Sequence, residues 1–332
     1  MYDLADALVA VPLFARVAAR EVRDSAELWT QRTIVFGDFL WEEGDDVDGI
    51  AVLVRGELAV IVEGAEVGRV RAGELVGEDS GFLGEPKRTA TLLASRPSKA
   101  LCLPGAGLRL LRQTRSGVYA ALLSRALITL VARVRATDRR VGELAEGALV
   151  APTRAESSAM ARLWRALRPG PPKSACPPLP PLLRGQFSLQ EVEDGVIDGL
   201  TAAFRPVPIE EGGVLFLEGD PGGIAWIIAS GDIDVLRHAK GGRADLVTTL
   251  RPGDQLGVNS LVDGLPRSAT AVARAAGWMY RLDAEAYAAL SGEPRLVWDE
   301  CILASLTAQI ARANAALRRW VETAASGSGG SG

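Results

Sequence analysis

The sequence is poor in the residues that most soluble catalysts depend on. It holds one histidine, His238, in 332 residues, and that imidazole lies outside any HExxH, CxxC or Ser/His/Asp pattern. A metal site made from several histidines is excluded on count alone, and no catalytic triad can be assembled around a lone base in no motif. The three cysteines, Cys102, Cys176 and Cys301, are far apart and odd in number, which points to reduced thiols in a cytoplasm and not to a disulfide framework. No run of 18 apolar residues occurs, since arginines interrupt the best candidate near 120–135, and no cleavable apolar signal opens the chain. Cationic residues are not in excess either. Lys and Arg number 37 against 41 Asp and Glu, a net charge of −4. That balance offers no broad basic surface, so neither nucleic acid nor a membrane is expected as a partner.

Glycine, by contrast, is plentiful and ordered. After a helical opening over residues 2–30 around Val11, Pro12, Leu13 and Phe14, glycines fall at 37, 44, 49, 56, 64, 68, 73 and 77. Strand-like runs lie between and after them, at 50–54, 58–62, 67–70 and 89–93. Many short strands joined by glycine turns predict an antiparallel barrel or jelly roll. From Gly107 the period changes. Ala120, Leu123, Leu127, Leu130, Val134, Thr137, Val141 and Leu144 alternate three and four apart, a heptad seam on a long helix. A short helical patch at 156–167 then leads into seven prolines between Pro169 and Pro181, which predict a stiff, extended spacer and offer a PxxP-type ligand to an SH3-like partner.

The chain then repeats itself. Glu218-Gly219-Asp220 echoes Glu43-Gly44-Asp45, and Ser230-Gly231-Asp232 echoes Arg55-Gly56-Glu57, both 175 residues on. Pro181-Leu182-Leu183 echoes Pro12-Leu13-Phe14. A later block, Leu256-Gly257 to Arg267-Ser268-Ala269-Thr270, stands 179 to 180 residues beyond its first copy, so an insertion is expected in the second copy's hairpin near 238–243. A second seam follows at Leu303, Leu306, Ile310, Ala313, Leu317 and Trp320. The expected architecture is mainly β with flanking helices: two antiparallel barrels, residues 1–147 and 182–325, each ending in a long helix, joined by a linker at 148–181. Residues 326–332, SGSGGSG, read as an artificial flexible tail.

The chemistry concentrates in residues 76–94, VGEDSGFLGEPKRTATLLA. Gly77 lets backbone approach a bound group closely. Arg88 supplies a planar two-pronged donor suited to phosphate oxygens. Glu78 can accept from a hydroxyl, and Thr89 can donate. With Glu78 and Arg88 ten apart, and with the front half FGDFLWEEGDDVDGIAVLVRGELAV, the chain resembles the cyclic-nucleotide-binding domain family. Its members include the bacterial catabolite activator protein and the regulatory subunits of cyclic-AMP-dependent kinase. The resemblance implies a phosphate-binding cassette in which Arg88 bridges a cyclic phosphate and Glu78 holds the ribose 2′-hydroxyl, while Gly77 and Thr89 complete the site. It implies equally that Gly37, Gly44, Asp45 and Gly56 shape the barrel without touching ligand. The carboxylate of Asp79 is expected to face solvent. Thr89 leaves cyclic AMP and cyclic GMP both open as ligand. No other cofactor and no metal are implied.

The second cassette departs from the pattern. Gly257, Arg267 and Ser268 remain, but Val258 stands where the family has glutamate, leaving Asn259 as the candidate replacement. A buried hydroxyl facing Val258 would lack its acceptor, at about 1–3 kcal/mol, or roughly 5- to 150-fold in affinity. The expected function is therefore a non-enzymatic sensor whose first barrel is the competent site. The alternative is a scaffold of barrels that no longer bind nucleotide. Arg267 would then pair with a carboxylate in a retained fold. Output is expected through the helices, as a homodimer or toward an unidentified protein effector. No segment of the right composition for a DNA-reading helix-turn-helix follows either barrel.

Overall fold

In a computed structural model of the chain, residues 4–82, 87–147, 172, 174–186, 189–239 and 243–327 are described. The helical patch expected at 156–167 lies outside them. The chain divides into two compact units, residues 1–127 and 128–332, and the division falls inside a continuous helix.

The first unit opens with α1 (Leu4–Val9), a 3-10 turn at Pro12–Phe14, α2 (Ala19–Asp24) and a second 3-10 turn at Ser25–Leu28. Six strands follow: β1 (Thr30–Ile34), β2 (Phe39–Trp41), β3 (Gly49–Arg55), β4 (Glu57–Val62), β5 (Ala65–Arg71) and β6 (Leu75–Val76). A single helical turn, α3 (Glu78–Gly81), precedes β7 (Thr91–Ala94) and β8 (Ser98–Pro104), and α4 (Gly105–Gln113) and α5 (Gly117–Gly147) close the series. The strands form two antiparallel four-stranded sheets, in the orders β1-β8-β3-β6 and β2-β7-β4-β5, a jelly roll. Their inner faces meet in a core of Ile34, Leu40, Ala51, Leu53, Leu58, Val70, Val76, Leu92, Ala94 and Ala100. In β3 the alternation of inner and outer residues does not show as alternating burial. Ala51 and Leu53 face the core, while Ile50 and Val52 are just as buried on the other side, where α4 packs on β3.

The second unit begins within α5 at residue 128 and continues through α6 (Leu179–Arg184) and α7 (Asp194–Ala203). Its strands are β9 (Arg205–Ile209), β10 (Val214–Phe216), β11 (Ile224–Ser230), β12 (Ile233–Ala239), β13 (Arg243–Leu250), β14 (Gln255–Leu256), β15 (Thr270–Ala273) and β16 (Gly277–Asp283). Between β14 and β15 lies α8 (Val258–Asp263), and α9 (Ala284–Ala289) and α10 (Gly292–Gly327) end the unit. Its sheets run β9-β16-β11-β14 and β10-β15-β12-β13, the orders of the first unit with every strand advanced by eight. The duplication legible in the glycine spacing is therefore a duplication of topology. The longer hairpin also falls where the offsets drift, since β12 and β13 have 7 and 8 residues against 6 and 7 in β4 and β5.

Two features add to the sequence reading. The proline stretch is held at its C-terminal end. Trp278 Nε1 donates to the Ser174 carbonyl at 2.8 Å and the Tyr280 hydroxyl to the Pro177 carbonyl at 2.7 Å, so residues 174–178 are strapped along β16. Burial pushes the Tyr280 phenol up to about 12, which keeps it a donor. The heptad seams are also largely covered. Leu123, Leu127, Leu130 and Val134 of α5 and Leu303 and Leu306 of α10 are all buried within a single chain. The distal positions Val141, Leu144, Ala313, Leu317 and Trp320 lie outside the described side chains. The stretch Gly117–Thr137 of α5 is long and apolar enough to cross a bilayer, with a mean hydropathy of 1.5, but half of it is buried in the fold.

The start of α5 is tied down by a carboxylate. Glu21 Oε1, from α2, accepts from the Ser116 hydroxyl at 2.9 Å and from the Gly117 amide at 2.5 Å, capping orphan donors at the positive end of a 31-residue helix. Glu21→Ala is expected to lower the stability of the first unit by about 1 kcal/mol, within the 0.5–2 kcal/mol of a lost cap. The fully exposed Arg20→Ala should stay within about 0.5 kcal/mol. Urea unfolding of the two variants checks the difference.

Candidate functional site

The sequence pattern places a glycine turn and an arginine in each barrel, and in both units the fold brings them together. In the first unit Gly77 sits in the left-handed region at φ +76, between β6 and α3. A Cβ there would lie 2.6 Å from Arg88 Nη1 and 3.1 Å from the Trp41 ring, so only glycine admits both. The Arg88 backbone is held by the turn at residues 43–45. Its amide donates to the Asp45 carbonyl and its own carbonyl accepts from the Gly44 amide, both at 2.9 Å. Asp45 in turn accepts from the Glu42 amide at 2.8 Å, and the Thr91 hydroxyl from the Glu43 amide at 2.9 Å. The Glu-Gly-Asp block thus positions the arginine from behind.

The guanidinium of Arg88 is 3% exposed. Its Cζ lies 3.7 Å from the centre of the Trp41 ring, a cation–π stack. Nη2 donates to Asp48 Oδ1 at 2.8 Å, whereas Nε and Nη1 are buried with no hydrogen-bond partner among the described residues. Glu78 and Ser80 are each 1% exposed beside it, and Thr89 is exposed. The side chain of Asp79 and residues 83–86 lie outside the described set.

The second cassette repeats the backbone and changes the contents. Gly257 has φ +78, and a Cβ on it would meet Arg267 Nη1 at the same 2.6 Å. The turn at residues 218–220 pins Arg267 through the Asp220 carbonyl and the Gly219 amide, again both at 2.9 Å. Here, however, the arginine is engaged by its own barrel. Nη1 donates to Ser260 Oγ at 2.5 Å and to the Gly257 carbonyl at 3.2 Å, and Nη2 to the Ile224 carbonyl at 2.8 Å. Its partners are a hydroxyl and two carbonyls, not the carboxylate expected from the scaffold alternative. Phe216 and Trp226 stack on each other at 5.5 Å, and the guanidinium lies over both, 4.4 and 5.0 Å from their centres. Burial pushes Arg267 down to about 10, with Arg135 adding to the fall and Asp220 opposing it, so it stays charged at neutral pH. Val258 is buried, Ser268 and Asn259 are half-buried, and the Asn259 side-chain oxygen is buried without a partner among the described residues.

Several residues that shape these sites carry no motif. Trp41 and Phe216 end β2 and β10, 175 residues apart. Ala51 and Trp226 are likewise 175 apart, and each pairs with the residue before the cassette glycine, Ala51 with Val76 and Trp226 with Leu256. One copy thus has a methyl group where the other has an indole. Asp48, which meets Arg88, corresponds to Gly223. The signal that finds these residues was available, because the common offset of 175 aligns them, but only the sheet register shows which of them face the arginine.

Each unit, then, is a jelly roll with a buried arginine behind a left-handed glycine turn, the frame of a small-anion receptor. The sequence profile of the cyclic nucleotide-binding domain matches residues 31–115 and 206–292, together more than half of the chain, and the chain belongs to that family. It is 39% identical over 82 residues to the CRP-like cAMP-activated global transcriptional regulator of Mycobacterium tuberculosis, covering 25% of this chain and 37% of that protein. It is 46% identical over 63 residues to human Rap guanine nucleotide exchange factor 3, covering 19% of this chain and 6% of that protein. The match thus spans about a third of the first relative's length and a small fraction of the second's. Among solved structures, the regulatory domain of Toxoplasma gondii PKA with cAMP aligns over 90% of this chain and 94% of its own, at 16% identity and a TM-score of 0.33.

Trp226 is a core residue of the second barrel, packed with Ile228, Leu256 and Met279. Trp226→Ala is expected to cost about 3–5 kcal/mol in that unit through the cavity it leaves. Two-probe urea unfolding would show it as an earlier transition of one unit only.

Proposed function

We propose that the chain is a cyclic-nucleotide sensor in which the barrel of residues 1–147 holds the competent site and the barrel of residues 182–325 is closed by its own side chains. The observation that carries this reading is the contrast between the two arginines. Arg88 keeps two buried donors without partners, and a buried guanidinium so placed gains from an anion. Arg267 has spent its Nη1 and Nη2 on Ser260, Gly257 and Ile224. Phe216 and Trp226 occupy the space beside it, and Val258 cannot accept from a ribose hydroxyl.

In the first barrel, Arg88 would bind the cyclic phosphate through Nε and Nη1, held in plane by Trp41 and at its other edge by Asp48. Gly77 would admit the ligand backbone-close, Glu78 would accept from the ribose 2′-hydroxyl, and Thr89 would donate to phosphate or base. The mycobacterial relative is by name cAMP-activated, so cyclic AMP is the first ligand to test, with cyclic GMP beside it. In the second barrel Gly257, Asn259, Arg267 and Ser268 serve the fold. That closed arginine also favours the scaffold role as a second reading for residues 182–325, in which the barrel docks a protein effector. A homodimer through the helices would use the seam positions that the fold leaves half-buried, Ala120, Thr137 and Ile310, because Leu123, Leu127, Leu130, Val134, Leu303 and Leu306 are buried within one chain.

Calorimetry on the full chain tests the reading. Cyclic AMP or cyclic GMP is expected to bind with one site per 35.0 kDa chain. Arg88→Ala should lose about 2–5 kcal/mol, roughly 30- to 5,000-fold, while Arg267→Ala leaves the affinity of that site unchanged. Two equal sites, or an Arg88→Ala protein that binds as wild type does, would sink the assignment.

A further inference from the structure

The two copies of one fold separate what the barrel requires from what has been added to it. At one end of the first barrel, the β1–β2 turn carries Val35 and Phe36, and β2 opens with Phe39; the three are 57%, 72% and 42% exposed. Nothing in the fold needs them there, because the matching residues of the second copy are Glu210, Glu211 and Val214, and its β9–β10 turn forms equally well. At the same end of the first barrel, Arg55, Arg71 and Arg96 line one crevice of about 590 Å³. In the second copy Arg55 becomes Ser230 and Arg96 becomes Ala275, with only the third arginine kept, as Arg251.

The sheet register brings the two features together. Ile34, the last residue of β1, pairs with Ser98, the first of β8, so the β1–β2 turn and the β7–β8 turn that carries Arg96 lie at the same end of that sheet. The turn is locked to the end of β7 by the Gly37 amide on the Ala94 carbonyl at 2.9 Å and the Ala94 amide on the Asp38 carbonyl at 2.8 Å. Arg55 ends β3 opposite Lys99 at the start of β8. Carboxylates lie close by as well. Glu57 is engaged by Arg69 at 2.8 Å and by Arg71 at 4.0 Å, Glu74 Oε2 accepts from the Arg71 amide at 2.7 Å, and Asp38 is exposed at the turn. Exposed aromatic side chains rimmed by exposed cations are the composition of a surface that dips into a bilayer interface against anionic headgroups.

We infer that this end of the first barrel is a peripheral docking surface for an anionic lipid bilayer, with Phe36, Phe39 and Val35 entering the headgroup layer and Arg55, Arg71 and Arg96 meeting lipid phosphates. The net charge of −4 argues against a broad basic face and says nothing against a local one. The inference is independent of whether the cassette binds nucleotide.

Vesicle sedimentation with the full chain tests it. Phosphatidylcholine vesicles containing about one-third phosphatidylglycerol are expected to carry the protein down, pure phosphatidylcholine vesicles are not, and added salt should weaken the effect. The residues of the second copy provide the variants. Arg55→Ser and Arg96→Ala should each weaken partitioning roughly fivefold, and Phe36→Glu at least about tenfold. All three positions are exposed, so unchanged melting and unchanged calorimetry with cyclic AMP would confirm that only this surface was altered. Should one variant melt early, Arg96→Gln and Phe36→Ser replace it. No sedimentation with the anionic vesicles, or variants that sediment as wild type does, would overturn the inference. So would equal binding to soluble polyglutamate with Phe36→Glu silent, which would mark an acidic protein as the partner.

Discussion

A guanidinium inside a barrel wall is the constraint around which both halves of this protein are built. Arginine cannot shed its charge at any working pH, so once buried it needs acceptors or a stacking face on every side. The chain first fixes the arginine's own backbone. The turn before β3, and its copy before β11, hold the arginine's amide and carbonyl at the same 2.9 Å in both units. A glycine in the left-handed region then makes room for the side chain. With the backbone so placed, the guanidinium tip can go two ways. It can be left short of acceptors at both Nε and Nη1, as Arg88 is, or be engaged at Nη1 and Nη2 with only Nε short, as Arg267 is.

The difference between these two outcomes rests on a few side chains rather than on the fold. Around the arginines, Ala51 stands against Trp226, Asp48 against Gly223 and Glu78 against Val258. The indole stacks on Phe216 against the guanidinium and gains the burial of a large aromatic in doing so. A serine hydroxyl and two carbonyls accept from Nη1 and Nη2 of Arg267. A buried donor without a partner has stability to gain from a bound acceptor. Helix α5 leaves the first barrel with its N-terminus fixed by Glu21 and runs without a break past residue 128, where the second unit begins.

Much of this was legible in the residues. The 2.0 and 3.6 periods, the glycine turns and the shared offset of 175 give two jelly rolls, each with a trailing helix, and the longer second hairpin follows from the drift to 180. Arg88, Arg267, Gly77 and Gly257 stand out because their chemistry is local. Their spacing along the chain is the spacing across the turn that joins them. The loss of Glu78's counterpart at Val258 is legible for the same reason.

Contacts between residues far apart in the chain were not legible. Trp41 reaches Arg88 from β2, which pairs with β7 just after the arginine, Asp48 meets it from a loop forty residues earlier, and Trp226 lies against Arg267 only because β11 runs beside β14. A tryptophan in an apolar strand reads as core in any sequence, and here it is core. Only register and packing reveal that it also borders the arginine. The same holds for the proline stretch strapped to β16, whose hydrogen bonds to Trp278 and Tyr280 span about a hundred residues. Periodicity and turn chemistry act over a few residues, so they specify elements and local motifs. Which side chains share a pocket depends on how the elements close on one another, and in this protein that closure separates the two arginines.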